Sequence, residues 1–430
     1  AGAGIPAALG SAVTNLSAPT STPTPSSGGS DSSEEGVSDD YSYFTGGVTS
    51  LSDYGGLQAA VDGTPARGVL LIDEDVTVSS RIDLPSNLKI QGDGGTISVA
   101  GDRTRTFEGD GVENVWIDGI DWNGRRNSHY FGMSMFEGDC TNIRITNNVL
   151  REASGNFVSF RTRGAGTLQE DIYVGGNVLR NEREPRDDGH GIVWGSDDEG
   201  EGRHVLFEGN MLRNYGASQG IGFFANEREG PVGRLEKFAA VGNEILWEGR
   251  GRQLGGHGVV AEGNTHRCVL YGNHVEGPDN PFNGLSVTKE GEKNLVVRNY
   301  SEVGKSGLTI QNYEFYEPSG PPSHNIFARN LVRNSDAGFH LRNTDTPNAV
   351  FQNRFEDCDT DIRLSGSRTS GYWENNGGYA GEVGVPADLG TSVWVQTNDG
   401  SWSGAASWSR GSSAPDDPVR VNVSVDRDDG

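Results

Sequence analysis

An asparagine followed two places later by an apolar residue returns along the chain, and this recurrence restricts the fold more than any other feature. Asn148, Asn177, Asn210, Asn243, Asn273, Asn299, Asn330 and Asn353 are followed by Leu150, Leu179, Leu212, Ile245, Val275, Ser301, Val332 and Phe355. Only Ser301 breaks the apolar rule. A short alternating segment precedes each asparagine, NIRIT, DIYVG and HVLFE among them. After most of them come a variable loop and a glycine-led segment such as GIVW, GIGFF, GVVA, GLSV, GLTI or GFHL. Successive asparagines lie 23 to 33 residues apart, so the unit is constant and its loops are not. Three short strands per turn, each turn stacked on the next, describe a right-handed parallel β-helix. One turn has too few apolar residues to fold alone; stacking supplies the continuous core. Alternation sends Ile192 and Trp194, Leu285 and Val287, and Phe339 and Leu341 inward. The asparagines are expected to be buried and bonded to one another up the stack, a structural rather than a chemical role.

Composition agrees with a thin core wrapped in turns: 64 of the 430 residues are Gly and 33% are apolar. The formal charge is −25, with 60 acidic against 35 basic residues, and only five of the basic residues are Lys. Acid spread over a whole chain resembles the proteins of salt-loving archaea, in which salt screens the self-repulsion. A surface of this sign disfavours nucleic acid as a partner. Cys140, Cys268 and Cys358 are far apart and form no CxxC or Cys/His spacing, which argues against a disulfide framework or a zinc site. No apolar run reaches the ~18 residues of a membrane span.

Residues 1–45 read as the tail of a secretory signal, AGAGIPAALGSAV, and a Ser/Thr/Pro-rich disordered linker. Residues 46–378 carry the repeat. Residues 379–430 form a Gly/Ser/Trp-rich extension, in which VRVNVSV alternates like a strand able to cover the C-terminal end of the stack. A secreted or surface-tethered protein is expected.

GGLQAAVDG reads as a short amphipathic helix able to cap the open first turn. The order LQAAVD, then IDLPSNLKIQGDGGTI, then the Asn-x-apolar coils resembles the pectate-lyase-like β-helix superfamily over residues 50–378. That superfamily holds polysaccharide lyases, polygalacturonase-type hydrolases, uronan epimerases, phage tail spikes and catalytically silent surface proteins. The resemblance therefore implies a fold much more firmly than a reaction, with an acidic polysaccharide the expected partner. It also implies that sugar lies along the glycine-led strands.

Candidate site residues follow from that placement. The longest loop and the strand after it contain DDGHGIVWGS, which resembles the Gly-His-Gly element of polygalacturonase-type hydrolases and singles out Asp187, Asp188 and His190. The hydrolases' Arg-x-Lys element is missing. GGHGVV repeats the motif two turns later at His257, and a histidine is suited to acid–base work near neutrality. A second column is read through Glu227, Glu262, Lys289 and Arg342. Two carboxylates about 5 Å apart suit a retaining glycosidase. A Lys beside a carboxylate suits instead β-elimination from a uronic acid, with Lys289 or His257 as base and Arg161 or Arg342 neutralising the sugar carboxylate. Arg161 and Arg163 can bind a carboxylate bidentately. Tyr313 and Tyr316 offer faces for sugar stacking, as does Trp194, although alternation points Trp194 inward. Asp197, Asp198 and Glu199 offer oxygen ligands to Ca²⁺ without the regular calcium-loop spacing. A rod-like adhesin or envelope protein, with its charges merely solvated, is the competing expectation.

Overall fold

The computed structural model describes residues 43–100, 105–125, 131–153, 155–181, 190–196, 199–213, 219–225, 233–247, 256–277, 282–312, 320–342, 346–365, 372–374, 391–412 and 415–428. These form the right-handed parallel β-helix that the repeat requires. Each turn gives one strand to each of three parallel sheets. In chain order, sheet A takes the segment before the asparagine, sheet B the residues just after it, and sheet C the glycine-led strand. One turn thus runs Leu168–Gly175 in sheet A, Val178–Arg180 in sheet B and Ile192–Ser196 in sheet C. Sheets B and C have eleven strands each, so any position recurs as a column down the stack.

The asparagines form that ladder. Each side-chain amide from Asn148 to Asn330 donates to the Oδ1 of the next asparagine in the series at 2.8–3.0 Å. The same oxygen also accepts the backbone N–H of the asparagine before it, as Asn210 Oδ1 does from Asn177. The second amide hydrogen bonds a main-chain carbonyl, Ile145 O in the case of Asn177. No member exceeds 1% exposure, so a polar group sits in the interior fully bonded. The residue before each asparagine adopts a left-handed conformation: Gly176, Gly209, Gly242 and Gly272 have φ between 58° and 65°. Glycine takes this conformation without steric cost, which explains the recurring Gly-Asn pair. Arg298, Arg329 and Gln352 hold the same position further along at 55–57°.

Inward side chains fill the tube. Ile192, Trp194, Leu285, Val287 and Phe339 are fully buried, and Leu341 is 3% exposed, as alternation predicts. Phe136, Phe160, Phe207 and Phe223 stack in sequence with ring centroids 5.0–6.2 Å apart. Helix Leu57–Gly63 adds Leu57, Ala60 and Val61 to the same core. Cys140 and Cys268 are buried free thiols, and burial raises both in pKa, Cys140 to about 11.

The C-terminal segment departs from expectation. VRVNVSV lies in strand Arg420–Arg427, but this is the third strand of an antiparallel sheet with Ser392–Gln396 and Trp402–Ser409. That sheet packs on the side of the β-helix. Val395, Trp402, Trp408 and Val421 join Leu206, Val269, Leu295 and Ile326 from the outer face of sheet A in a second core. The physical reason is in the sequence of sheet A: late turns such as VLY and LVV are apolar on both faces, so the outer face also needs a cover. Arg410 to Glu208 and Arg420 to Asp171 pin the edges.

Candidate functional site

With the outer face of sheet A covered, sheet C is where polar side chains collect on a shielded surface. Its register sets out two outward columns. The first runs Val193, Gly222, Val260, Ser286, Thr309, His340 and Arg363; the second runs Gly195, Phe224, Glu262, Thr288, Gln311, Arg342 and Ser365. At the entrance of the strands, Gln219, His257, Asn283 and Ser306 lie side by side. Adjacent rungs are ~4.8 Å apart, so each column presents one group per rung to anything lying along the face.

Two neighbouring rungs, Asn283–Thr288 and Ser306–Gln311, are buried at every position. They nevertheless carry hydroxyls and amides on their outward side. Asn283 Oδ1, Thr288 Oγ1, Ser306 Oγ, Thr309 Oγ1 and, just past the second strand, Asn312 Oδ1 are buried with no hydrogen-bond partner among the described residues. Each such group costs about 1–3 kcal/mol relative to a bonded one, so folding alone gives no reason to gather five of them together. A hydroxylated ligand would satisfy them only by reaching the face from which solvent is now excluded.

Ionisable groups border this patch. Lys289 Nζ is 2.8 Å from Glu262 Oε1, and both side chains are largely buried. The register puts Thr288 rather than Lys289 in line with Glu262; Lys289 follows the strand in a left-handed conformation, φ 56°, and reaches back to the neighbouring rung. His257 Nδ1 lies 2.6 Å from Ser286 Oγ, and complete burial lowers its pKa to about 3. Burial likewise lowers His190, whose ring lies 5.5 Å from Phe224, to about 4. Both imidazoles are therefore neutral, and both are poor bases at neutral pH. Beyond them lie Lys305, His340, Arg342 and Arg363. His340 Nε2 is 2.6 Å from Ser365 Oγ.

Of the residues singled out from sequence, His190, His257, Glu262, Lys289 and Arg342 share this face. Arg161 lies in the second column, three rungs from Glu262 and so ~14 Å along the face. Arg163 is 2.9 Å from Glu137 at that earlier position. Trp194 is corrected: it is wholly buried among the core aromatics, 5.6 Å from Phe238, and offers no face to a sugar. Alternation had already pointed it inward. Asp187, Asp188, Asp197, Asp198, Glu227, Tyr313 and Tyr316 lie outside the described residues. Glu199 is exposed, and among the described residues no group of three or more His, Cys, Asp or Glu is placed to hold a metal ion. Sequence reasoning passed over Ser286, Thr288, Thr309, Lys305, His340 and Arg363. The signal was present in NGLSVT and SGLTIQ, where every second residue of a glycine-led strand is Ser, Thr or Gln.

Known proteins bear on the fold. The family model of NosD, a periplasmic copper-binding protein, matches residues 245–382. PfbA, a surface adhesin of Streptococcus pneumoniae, is similar in structure with a TM-score of 0.51 at 12% identity, over 82% of this chain and 98% of that one. ORF18 of Geobacillus virus E2 gives 0.50 at 10% identity, over 87% of this chain and 76% of that one. A polygalacturonase from Erwinia carotovora gives 0.44 at 10%, over 74% and 91%. No curated protein matches in sequence. The chain has a parallel β-helix fold, and the likeness to PfbA and ORF18 agrees with it. At such identities the likeness extends to the fold alone, and the family model spans less than half of the chain. No helix of the described residues is long and apolar enough to cross a membrane.

Proposed function

We propose that the protein acts outside the cytoplasm on a polysaccharide that lies along the outer face of sheet C. The observation that carries this reading is the patch of buried, unpartnered hydroxyl and amide atoms in the rungs of Ser286 and Thr309. A sugar chain is a repeating polyol, and a ladder of side chains at a fixed rung spacing suits it. A saline habitat rests on the acidic composition.

Within this reading, β-elimination from a uronic acid polymer leads. A cation would neutralise the sugar carboxylate, and a base would remove the ring proton beside it; Arg342, three rungs and so ~14 Å from Glu262, would hold the carboxylate of a neighbouring sugar. The electron pair left on carbon forms the new double bond as the glycosidic C–O bond breaks, and the leaving oxygen takes up a proton. His257 is too weakly basic for proton removal; it serves better in orienting Ser286. Lys289 is the better candidate; paired with Glu262 it is an ammonium, so it can act as a base only after giving its proton to solvent. A glycoside hydrolase would instead need a second carboxylate opposite Glu262.

One observation favours a second reading, a catalytically silent surface protein that binds sugar. Lys289 pairs with Glu262, and His257 is bonded to Ser286, so the acid–base groups are already engaged with protein partners. Incubation with a panel of uronic acid polymers in concentrated salt separates the readings. A lyase generates an unsaturated product that absorbs in the ultraviolet. Reducing ends without that absorbance indicate hydrolysis, and binding with neither product indicates the silent protein. Failure to bind any polymer removes the proposal.

A further inference from the structure

We infer that Lys305, Arg342 and Arg363, gathered round His340 on the outer face of sheet C, form a subsite for the anionic group of a bound sugar, a carboxylate or a sulfate ester. This rests on the polysaccharide reading of the groove and adds to it the charge and place of one recognised group.

The placement follows from register. The Lys305 carbonyl accepts the N–H of Ala337 at 3.0 Å, which fixes Lys305 at the head of the strand that ends in Arg342. His340 lies between them on that strand, and Arg363 is directly opposite His340 on the next rung. On the preceding rung Thr309 faces His340, and Ser306 faces Ala337. The buried, unbonded hydroxyls of Ser306 and Thr309 therefore adjoin the cations.

What sets these cations apart is that they lie together without an ion-pair partner among the described residues. The chain carries 60 acidic residues, and its described arginines commonly find one: Arg203 pairs with Glu170, Arg333 with Glu356, and Arg420 with Asp171. Among the described residues, Lys305 and Arg342 form no ion pair, and Arg363 bonds only the main-chain oxygen of Asp336. Arg342 repels Lys305, and Lys305, Arg342 and Arg363 all oppose a charge on His340. Burial and then Arg342 lower Lys305; burial and then Arg363, Lys305 and Arg342 lower His340, to about 4. No carboxylate counters either shift. Partly buried cations that repel one another are costly to keep together, and an incoming anion removes that cost. A carboxylate or sulfate presents two or more oxygens to the forked donors of Arg342 and Arg363. The neighbouring hydroxyls take the sugar's own. The chain's charge of −25 disfavours densely charged nucleic acid, whereas a sugar polymer with spaced charges can enter.

The test uses the full chain in concentrated salt and two matched pairs of polymers: polygalacturonate with its methyl ester, and dextran sulfate with dextran. Wild type is expected to bind at least one anionic polymer more tightly than its neutral partner. Arg342→Gln and Lys305→Gln should each weaken that binding roughly tenfold and leave the neutral partner's binding unchanged. The pair that shows the preference tells carboxylate from sulfate. Because each change relieves repulsion, both variants should melt no lower than wild type, which a merely structural role would not allow. Equal binding of charged and neutral polymers, or a preference that survives both substitutions, overturns the anion subsite and leaves the groove standing. No binding of any polymer overturns the groove, and the subsite with it.

Discussion

The side-chain amide of Asn177 donates to Oδ1 of Asn210 at 2.9 Å, and its own Oδ1 accepts both the backbone N–H and the side-chain amide of Asn148. One residue thus ties three turns. Asn177→Ala would strand the amide and N–H of Asn148 and the carbonyl of Ile145 in a dry interior. The expected cost is about 2–4 kcal/mol, read as a lower denaturant midpoint, with polymer binding per folded molecule unchanged. A selective loss of binding would show that the ladder is part of the site.

The ion pair of Glu262 and Lys289 predicts a non-additive result. Glu262→Gln removes one carboxylate partner of a largely buried ammonium, a change that typically destabilises by about 3–5 kcal/mol. Adding Lys289→Met should recover most of that loss, because removing both charges also removes their desolvation. A double-mutant cycle by chemical denaturation checks this. If the two losses simply add, the pair is not coupled as its 2.8 Å separation implies.

Much of this architecture was legible in the repeat. The Asn-x-apolar spacing and the alternation of segments such as GIVW and GFHL point to three short strands per turn and to their inward residues. The same local rules do not say which outward face a distant segment will cover. VRVNVSV reads as a strand, but its place on sheet A depends on apolar outward residues such as Leu206 and Leu295, far away in sequence. The site was legible in part for a related reason. Single conspicuous residues, His190, Glu262 and Lys289, stand out in one turn. The hydroxyl column of Ser286 and Thr309 and the cations Lys305 and Arg363 become a group only when rungs are set side by side.

Trp408, 5.3 Å from the ring of Tyr271, anchors the C-terminal sheet to sheet A. Trp408→Ala should loosen that sheet at a cost of about 3–5 kcal/mol and expose the apolar outer face beneath it. Increased binding of a hydrophobic dye and earlier proteolysis within 391–428 are the expected signs. Undiminished protection would mean that the edge pairs Arg410–Glu208 and Arg420–Asp171 hold the sheet unaided.

One fully buried and three partly buried histidines set an acid limit on stability. His257 is lowered from 6.5 to about 3, and His190, His204 and His340 to about 4, in each case first by burial. Above pH ~6.5 both folded and unfolded chains keep these imidazoles neutral, and the contribution is complete. Below it the unfolded chain takes up protons that the folded chain refuses, so stability falls as pH drops from 6.5 toward 4 and 3. Denaturation followed against pH should show this loss, and the imidazole resonances of these four histidines should fail to titrate near neutrality in the folded protein. Titration of His257 near pH 6.5 would contradict its burial.

The most direct measurement is amide hydrogen exchange of the full chain in concentrated salt, with and without the acidic polymer that binds best. The account predicts added protection in His257–Gly263, Asn283–Thr288, Ser306–Gln311 and Ala337–Arg342, and none in Ser392–Gln396 or Arg420–Arg427. Protection confined to the C-terminal sheet, where Trp394 is 57% exposed, would place the sugar elsewhere and contradict the account.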